Sequence, residues 1–357
     1  MKKMLVFTLA VVMVMSMAGM AFAANTALVV QDGNRNDAIV DQDGVTNAAL
    51  VTQDGNDNEA DVAQRGVSTS ALIDQLGNRN SAEVEQEGAR YGGFTHQAFI
   101  TQDGNDNEAS ITQFVDFHGG FGTILQVGNT NKGEIFQDGN QFPVGSYALI
   151  EQFGNANEAK QRQTVFGGDA LVTARIFQDG NRNFADQLQR HTAYADVSEL
   201  LSVQIGNDNR VTQVQSEIGL GSLNRYGLAF QLGNRNVAEM SQRGHEVEHV
   251  AYSVQVGNAN ETHQTQLFGE QLGAILQIGN ANEAAQHQSD GTNLGAIVQW
   301  GNSNTASQTQ AAGVGLGLIV QAGNRNDATQ SQATGLNVAA TVQMGNDNSA
   351  TINQAGL

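Results

Sequence analysis

The chain has 357 residues, with 36 Asp and Glu against 17 Lys and Arg, for a formal charge of -19. That balance excludes nucleic acid and an anionic membrane surface as partners, because both demand a basic face. It has no cysteine, one Trp and five Tyr, which excludes disulfides, thiolate metal sites and thiol nucleophiles and leaves few aromatic side chains for an enzyme's core and pocket.

Met1-Lys2-Lys3 is a short basic start, Leu5 to Met20 is apolar, and Ala21-Phe22-Ala23 places small residues where a signal peptidase reads. Residues 1–23 therefore read as a secretory signal peptide, cleaved between Ala23 and Ala24. No later apolar stretch is long enough to cross a bilayer, so no membrane span is expected after cleavage. Residues 24–357 read as a single domain, because one pattern runs through them without a linker.

That pattern is the hexad Gln-x-Gly-Asn-x-Asn. It begins at Gln31, Gln53, Gln75, Gln102, Gln126, Gln152, Gln178, Gln204, Gln231, Gln255, Gln277, Gln299, Gln321 and Gln343, fourteen copies 22 to 27 residues apart. The first units split again into halves of 11, with Gln42, Gln64 and Gln86 eleven residues after the hexad Gln before them. Each half reads Asn-x-Ala-x-Val-x-Gln-x-Gly, as at Asn36, Ala38, Val40, Gln42 and Gly44. Period two means one face of a β-strand, with Asn, Ala, Val and Gln turned inward. A helix needs period 3.6 and does not tolerate a Gly-Asn pair in every unit. The hexad glycines, Gly33, Gly55, Gly77, Gly104, Gly128, Gly154, Gly180, Gly206, Gly233, Gly257, Gly279, Gly301, Gly323 and Gly345, are expected in turns, where Gly and Asn tolerate positive φ. Extra residues always fall after the second strand, as in Gly88–His96, Phe114–Gly122, Pro143–Tyr147 and Gly244–His249, so one turn is of fixed length and the other bulges. The fold expected is all-β: a β-solenoid of stacked strand-turn-strand rungs, about 22 residues each.

Inward amides are costly unless hydrogen-bonded, and stacking solves this. Each hexad Gln, together with the second hexad Asn (Asn36, Asn58, Asn80, Asn107, Asn131, Asn157, Asn183, Asn209, Asn236, Asn260, Asn282, Asn304, Asn326 and Asn348), is expected to bond to its counterpart one rung away. Gln42 and Gln354 are the first and last members of a similar series in the second strands. From Gln152 onward a further Gln replaces the branched residue, as at Gln161, Gln187, Gln213, Gln264, Gln286, Gln308 and Gln330, giving an amide-rich core.

A unit of Gln-x-Gly-x-x-Asn-x-Ala with a second Gln eleven residues on resembles the curlin repeat, from about Ala27 to Leu357. The resemblance implies a secreted, extracellular subunit of a curli-like amyloid fibre on the bacterial cell surface, used in adhesion and biofilm matrix. It implies partners: further copies of the chain, a nucleator subunit and an outer-membrane secretion pore. Family members have about five repeats and a Gly-rich leader; this sequence is much longer and passes from Ala23 almost directly into its first strand. Two readings stand beside that of bulk fibre subunit: a minor nucleator of the same fibre, and a monomeric solenoid that binds ice or polysaccharide. The outward residues are too varied for an ice-binding array.

No enzyme activity, cofactor or metal is expected. His245-Glu246-Val247-Glu248-His249 matches the zinc-protease form His-Glu-x-x-His, which works on a helix; in extended chain its histidines stand about 13 Å apart. His96, His118, His191, His263 and His287 fall in or beside variable turns, where a solvated surface role is expected. Gly313-Val314-Gly315-Leu316-Gly317 lacks the strand–helix context of a phosphate loop and reads as turn glycine. Arg35, Arg79, Arg182, Arg235 and Arg325 share a hexad position with Asp57, Asp106, Asp208 and Asp347, so adjacent rungs are expected to pair charges.

Overall fold

The computed structural model describes residues 25–88, 96–115, 119–141, 145–166, 171–191, 197–217, 224–244 and 248–355. Among these residues every regular element is a β-strand, twenty-six in all. Strands pair in parallel with the next but one along the chain: Thr26–Asn34 with Ala48–Asn56, Asp37–Val45 with Glu59–Val67, and so on to Asp327–Ala333 with Ser349–Ala355. First strands thus stack on first strands and second strands on second strands, and the chain coils between them as a parallel β-solenoid. Two long strands, Glu283–Asn302 and Thr305–Ala322, run through a corner and serve both stacks.

Register follows the repeat, with Gln31 opposite Gln53 and Gln204 opposite Gln231. A one-residue slip would turn every inward side chain to solvent, so the alternation itself sets the pairing. In Thr69–Asn78, for example, Ala71, Ile73 and Gln75 are buried while Ser70, Leu72 and Asp74 between them are only half-buried. The branched residues form columns through the interior: Val51, Ile73, Ile100 and Ile124 in first strands, facing Val62, Val84, Ile111 and Ile135 in second strands. Each such side chain contributes about 1.5–3 kcal/mol on burial.

The two corners differ as the spacing predicts. The hexad corner leaves two residues between strands, as Arg35-Asn36 between Thr26–Asn34 and Asp37–Val45. At the opposite corner the gap is Ser68 alone between Glu59–Val67 and Thr69–Asn78, yet runs from Glu87 to His96 in the next turn. Pro143 and the signal segment 1–23 lie outside the described residues.

Two expectations are corrected. Gly315 and Gly317 are not turn residues: they lie inside Thr305–Ala322, facing inward, and only Gly313 sits at the corner, with φ 143°. Their role is spatial. A Cβ on Gly317 would stand 2.5 Å from the Gln308 amide nitrogen, and one on Gly295 would stand 2.4 Å from Gln308 Oε1. Opposite Gln286 and Gln308 the facing strand gives up even alanine's methyl, at Gly273, Gly295 and Gly317, whereas the turns of Gln161 and Gln187 keep Ala148 and Ala174.

The histidines are the second correction. His96 and His191 are buried, not solvated, and His249 of the His-Glu-x-x-His string is buried as well. His96 stands two residues before Ala98 and His249 two before Ala251, so the inward parity of the strand carries on to them. His263 keeps the expected surface position, with its ring between Glu239 (3.1 Å) and Glu261 (2.7 Å); His118 is outside the described residues.

Candidate assembly interface

The corner shows why the hexad has its composition. All fourteen hexad glycines have φ between 99° and 135°. The stacking alone would also demand them: a Cβ on Gly154 would fall 2.0 Å from the carbonyl oxygen of Gly180. The residue between the two asparagines is left-handed, with φ from 54° to 58° at every copy from Arg35 to Asp347. The asparagines themselves are not, contrary to expectation. They are held for side-chain stacking, and the strained conformation passes to a position whose side chain only needs to reach outward. The second Asn then closes the corner: Asn58 Nδ2 donates to the Gly77 carbonyl (2.9 Å) and to Asn36 Oδ1 (3.3 Å).

The hexad glutamines form one unbroken ladder. Nε2 of each donates to Oε1 of the next, from Gln31 to Gln53 (2.7 Å), through Gln178 to Gln204 (2.8 Å) and Gln204 to Gln231 (3.0 Å), to Gln321 and Gln343 (2.9 Å). The other Nε2 hydrogen reaches a backbone carbonyl of the opposite stack, as Gln204 does to Phe184 (3.0 Å). A primary amide has two N–H groups to place, and here both have partners. The second-strand ladder runs equally unbroken from Gln42 to Gln354. The extra glutamines form two shorter ladders, Gln161–Gln187–Gln213 and Gln264–Gln286–Gln308–Gln330, separated by Met240, whose sulfur accepts from Gln213 at 3.6 Å.

One ladder was missed by reading the sequence. The first hexad asparagines, exposed or half-buried at the corner, also stack, from Asn34 on Asn56 (2.9 Å) to Asn324 on Asn346 (3.0 Å). The signal was present, since that Asn recurs in every copy as faithfully as the second. Period two was counted along strands and not carried round the turn.

The ladders have direction. The glutamines and first asparagines donate toward the C-terminal end of the rod, whereas the second asparagines donate toward the N-terminal end, as Asn348 to Asn326 at 2.8 Å. The charge column is directional too. Arg35 pairs with Asp57, Arg79 with Asp106, Arg182 with Asp208 and Arg325 with Asp347, each at 2.6 Å and each from the earlier rung to the later. The bonded arginine holds Asp106, Asp208 and Asp347 below the ordinary carboxylate range.

The inner residues of the first rung differ from those beneath them only in lacking a cover. Val29 is 41 % exposed and its partner one rung in, Val51, 0 %; Gln31 is exposed and Gln53 buried. At the other end Ala350, Ile352 and Gln354 of the strand Ser349–Ala355 are half-buried, above buried Ala328, Gln330 and Gln332. Among the described residues nothing pairs with the outer edges of Thr26–Asn34 or Ser349–Ala355, and no group of three or more His, Asp or Glu stands close enough to hold a metal ion. Of the His-Glu-x-x-His string only Glu248 and His249 are described. The His249 ring is buried, with Nε2 2.9 Å from the Gly269 carbonyl, and burial beside Arg225 lowers its pKa to about 4.

A solenoid of stacked amide ladders with fixed glycine corners defines a class: parallel β-solenoid repeat proteins whose sites are their own rungs. Within it, the Curlin associated repeat matches residues 23–55, 55–88 and 92–114, so these segments carry the curlin repeat. The matched segments are the chain's first four turns, and the later turns continue them in register with the same ladders. Family and fold together point to a structural protein. No curated protein sequence matches the chain, and among the described residues no helix is long and apolar enough to cross a membrane.

Proposed function

We propose that the chain is a secreted structural subunit of a curli-like extracellular amyloid fibre, growing by end-to-end strand addition and serving adhesion and biofilm matrix. The observation that carries this reading is the unfinished and complementary chemistry of the two terminal rungs. The C-terminal rung turns Gln and first-Asn amide donors outward, and the N-terminal rung turns the matching Oε1 and Oδ1 acceptors outward. In the same stacking direction the next member of the charge column after Asp347 is Arg35 of the following copy, continuing the alternation Arg325–Asp347, Arg35–Asp57. An open parallel edge is a template for a further strand, and head-to-tail contacts that do not close give filaments. A nucleator and an outer-membrane pore would be the partners of such a subunit.

The test is elongation of preformed seeds by the mature chain carrying Thr351→Pro and Ile352→Lys. These remove a ladder donor and set a charge on the inner face of the last strand. The variant is expected to fold, to extend seeds poorly and to cap wild-type fibres when added in trace. The control Thr265→Lys, on an outer face of the mid-rod, is expected to elongate normally. Unchanged elongation by the terminal variant would refute end addition.

A further inference from the structure

The two outer faces of the rod differ, and the difference grows along the chain. On the first-strand face the early turns carry Asp32, Asp54, Asp74 and Asp103. From Arg225–Asn234 onward the six first-strand segments, ending with Gly335–Met344, turn no charged side chain outward among the described residues. Val250, Leu272, Leu294, Leu316 and Val338 stand in one column, and the last four are 39, 44, 45 and 59 % exposed. Trp300, the sole Trp of the chain, is 67 % exposed on the same face. The second-strand face of the same turns is polar, with Ser307, Thr309, Thr329 and Ser331 outward.

A contiguous uncharged face of this size lies above the largest patch, about 300–600 Å², that a soluble monomer ordinarily leaves to water. Six strands about 4.8 Å apart span about 29 Å, and the seven residues Tyr226–Leu232 span about 23 Å along the strand. The product is about 650 Å² per copy, or about 1,300 Å² for a pair, within the range of stable interfaces. Its layout is also that of an interface: an apolar centre, with Glu248, Glu270 and Asp290 at one corner forming a charged rim. A surface of the same twist is the same face of a second copy, and two such sheets pack about 10 Å apart.

We propose that two copies of this chain pair laterally through the first-strand faces of residues 225–344, packed sheet on sheet. The pairing leaves the first turns out, because their outward aspartates would meet like charges across the gap. It is separate from end-to-end growth and does not depend on it.

The test uses the full mature chain in the Thr351→Pro, Ile352→Lys background, so that end addition does not mask lateral association. Sedimentation equilibrium is expected to give twice the chain mass at micromolar concentration, with Trp300 emission blue-shifted and protected from acrylamide. Adding Leu294→Glu and Leu316→Glu is expected to halve the mass and expose Trp300, with the β-type circular dichroism retained. Ser307→Glu and Thr309→Glu on the opposite face are expected to leave the dimer intact. A monomeric mass for the parent, with Trp300 freely quenched at every concentration, overturns the proposal whether or not the Glu variant folds. So does a dimer that survives both Glu substitutions. If Trp300 shifts only when phosphatidylcholine vesicles are added, the face docks lipid and the pairing is refuted.

Discussion

Replacing Gln204 with Leu tests the ladder where it is deepest. The wild-type amide accepts from Gln178 Nε2 (2.8 Å) and donates to Gln231 Oε1 and the Phe184 carbonyl, both at 3.0 Å. Leucine leaves one Gln178 N–H and the Gln231 Oε1 buried without partners, at about 1–3 kcal/mol each. Added apolar burial returns about 1–2 kcal/mol, so the net loss is about 3 kcal/mol. In a solenoid each turn contacts only its neighbours, so the loss is local. Amide exchange in Leu171–Asn181, Val197–Asn207 and Arg225–Asn234 is expected to accelerate about 100-fold, since about 1.4 kcal/mol of opening free energy is tenfold. The distant turns should be unaffected. The outward change Thr212→Val should stay within about 0.5 kcal/mol. Equal exchange in the two variants would refute an inward, serially bonded glutamine column.

Two further outcomes follow from the corners and the buried ring. Gly206→Ala sets a Cβ 1.9 Å from the Gly233 carbonyl oxygen at a φ of 121°; it is expected to break the rod there, seen as cleavage between residues 197 and 234 in limited proteolysis, and an intact rod would refute the close stacking. The His249 pKa is lowered from 6.5 to about 4, first by burial and then by Arg225. The unfolded chain therefore takes up the proton first, so stability falls as pH drops from 6.5 to about 4 and levels below, by about 3 kcal/mol. His249→Gln, which matches Gln271 one turn on in the same column, should lose that part of the acid sensitivity in denaturant titrations at pH 7 and 4.5, and an unchanged difference would count against a neutral buried ring.

The sequence by itself determined the strands, their inward faces and their register, because each of these depends on a period of two and on a repeat that returns Gln to Gln. It also determined which corner stays constant and which bulges, and that Arg and Asp of neighbouring hexads meet. Tertiary structure decided what happens where the period bends. At the hexad corner only the stacked backbone shows that the strained conformation belongs to Arg35 and its equivalents, leaving both asparagines free to ladder. At the other corner the parity runs on, which buries His96, His191 and His249 at positions that look like turn. The direction of the ladders was likewise invisible, since an amide column satisfies itself donating either way and only its contacts with the facing strand's carbonyls choose one. The apolar face from Arg225 to Met344 emerged only in three dimensions: Leu272, Leu294 and Leu316 lie 22 residues apart in sequence, and parallel stacking alone brings them side by side.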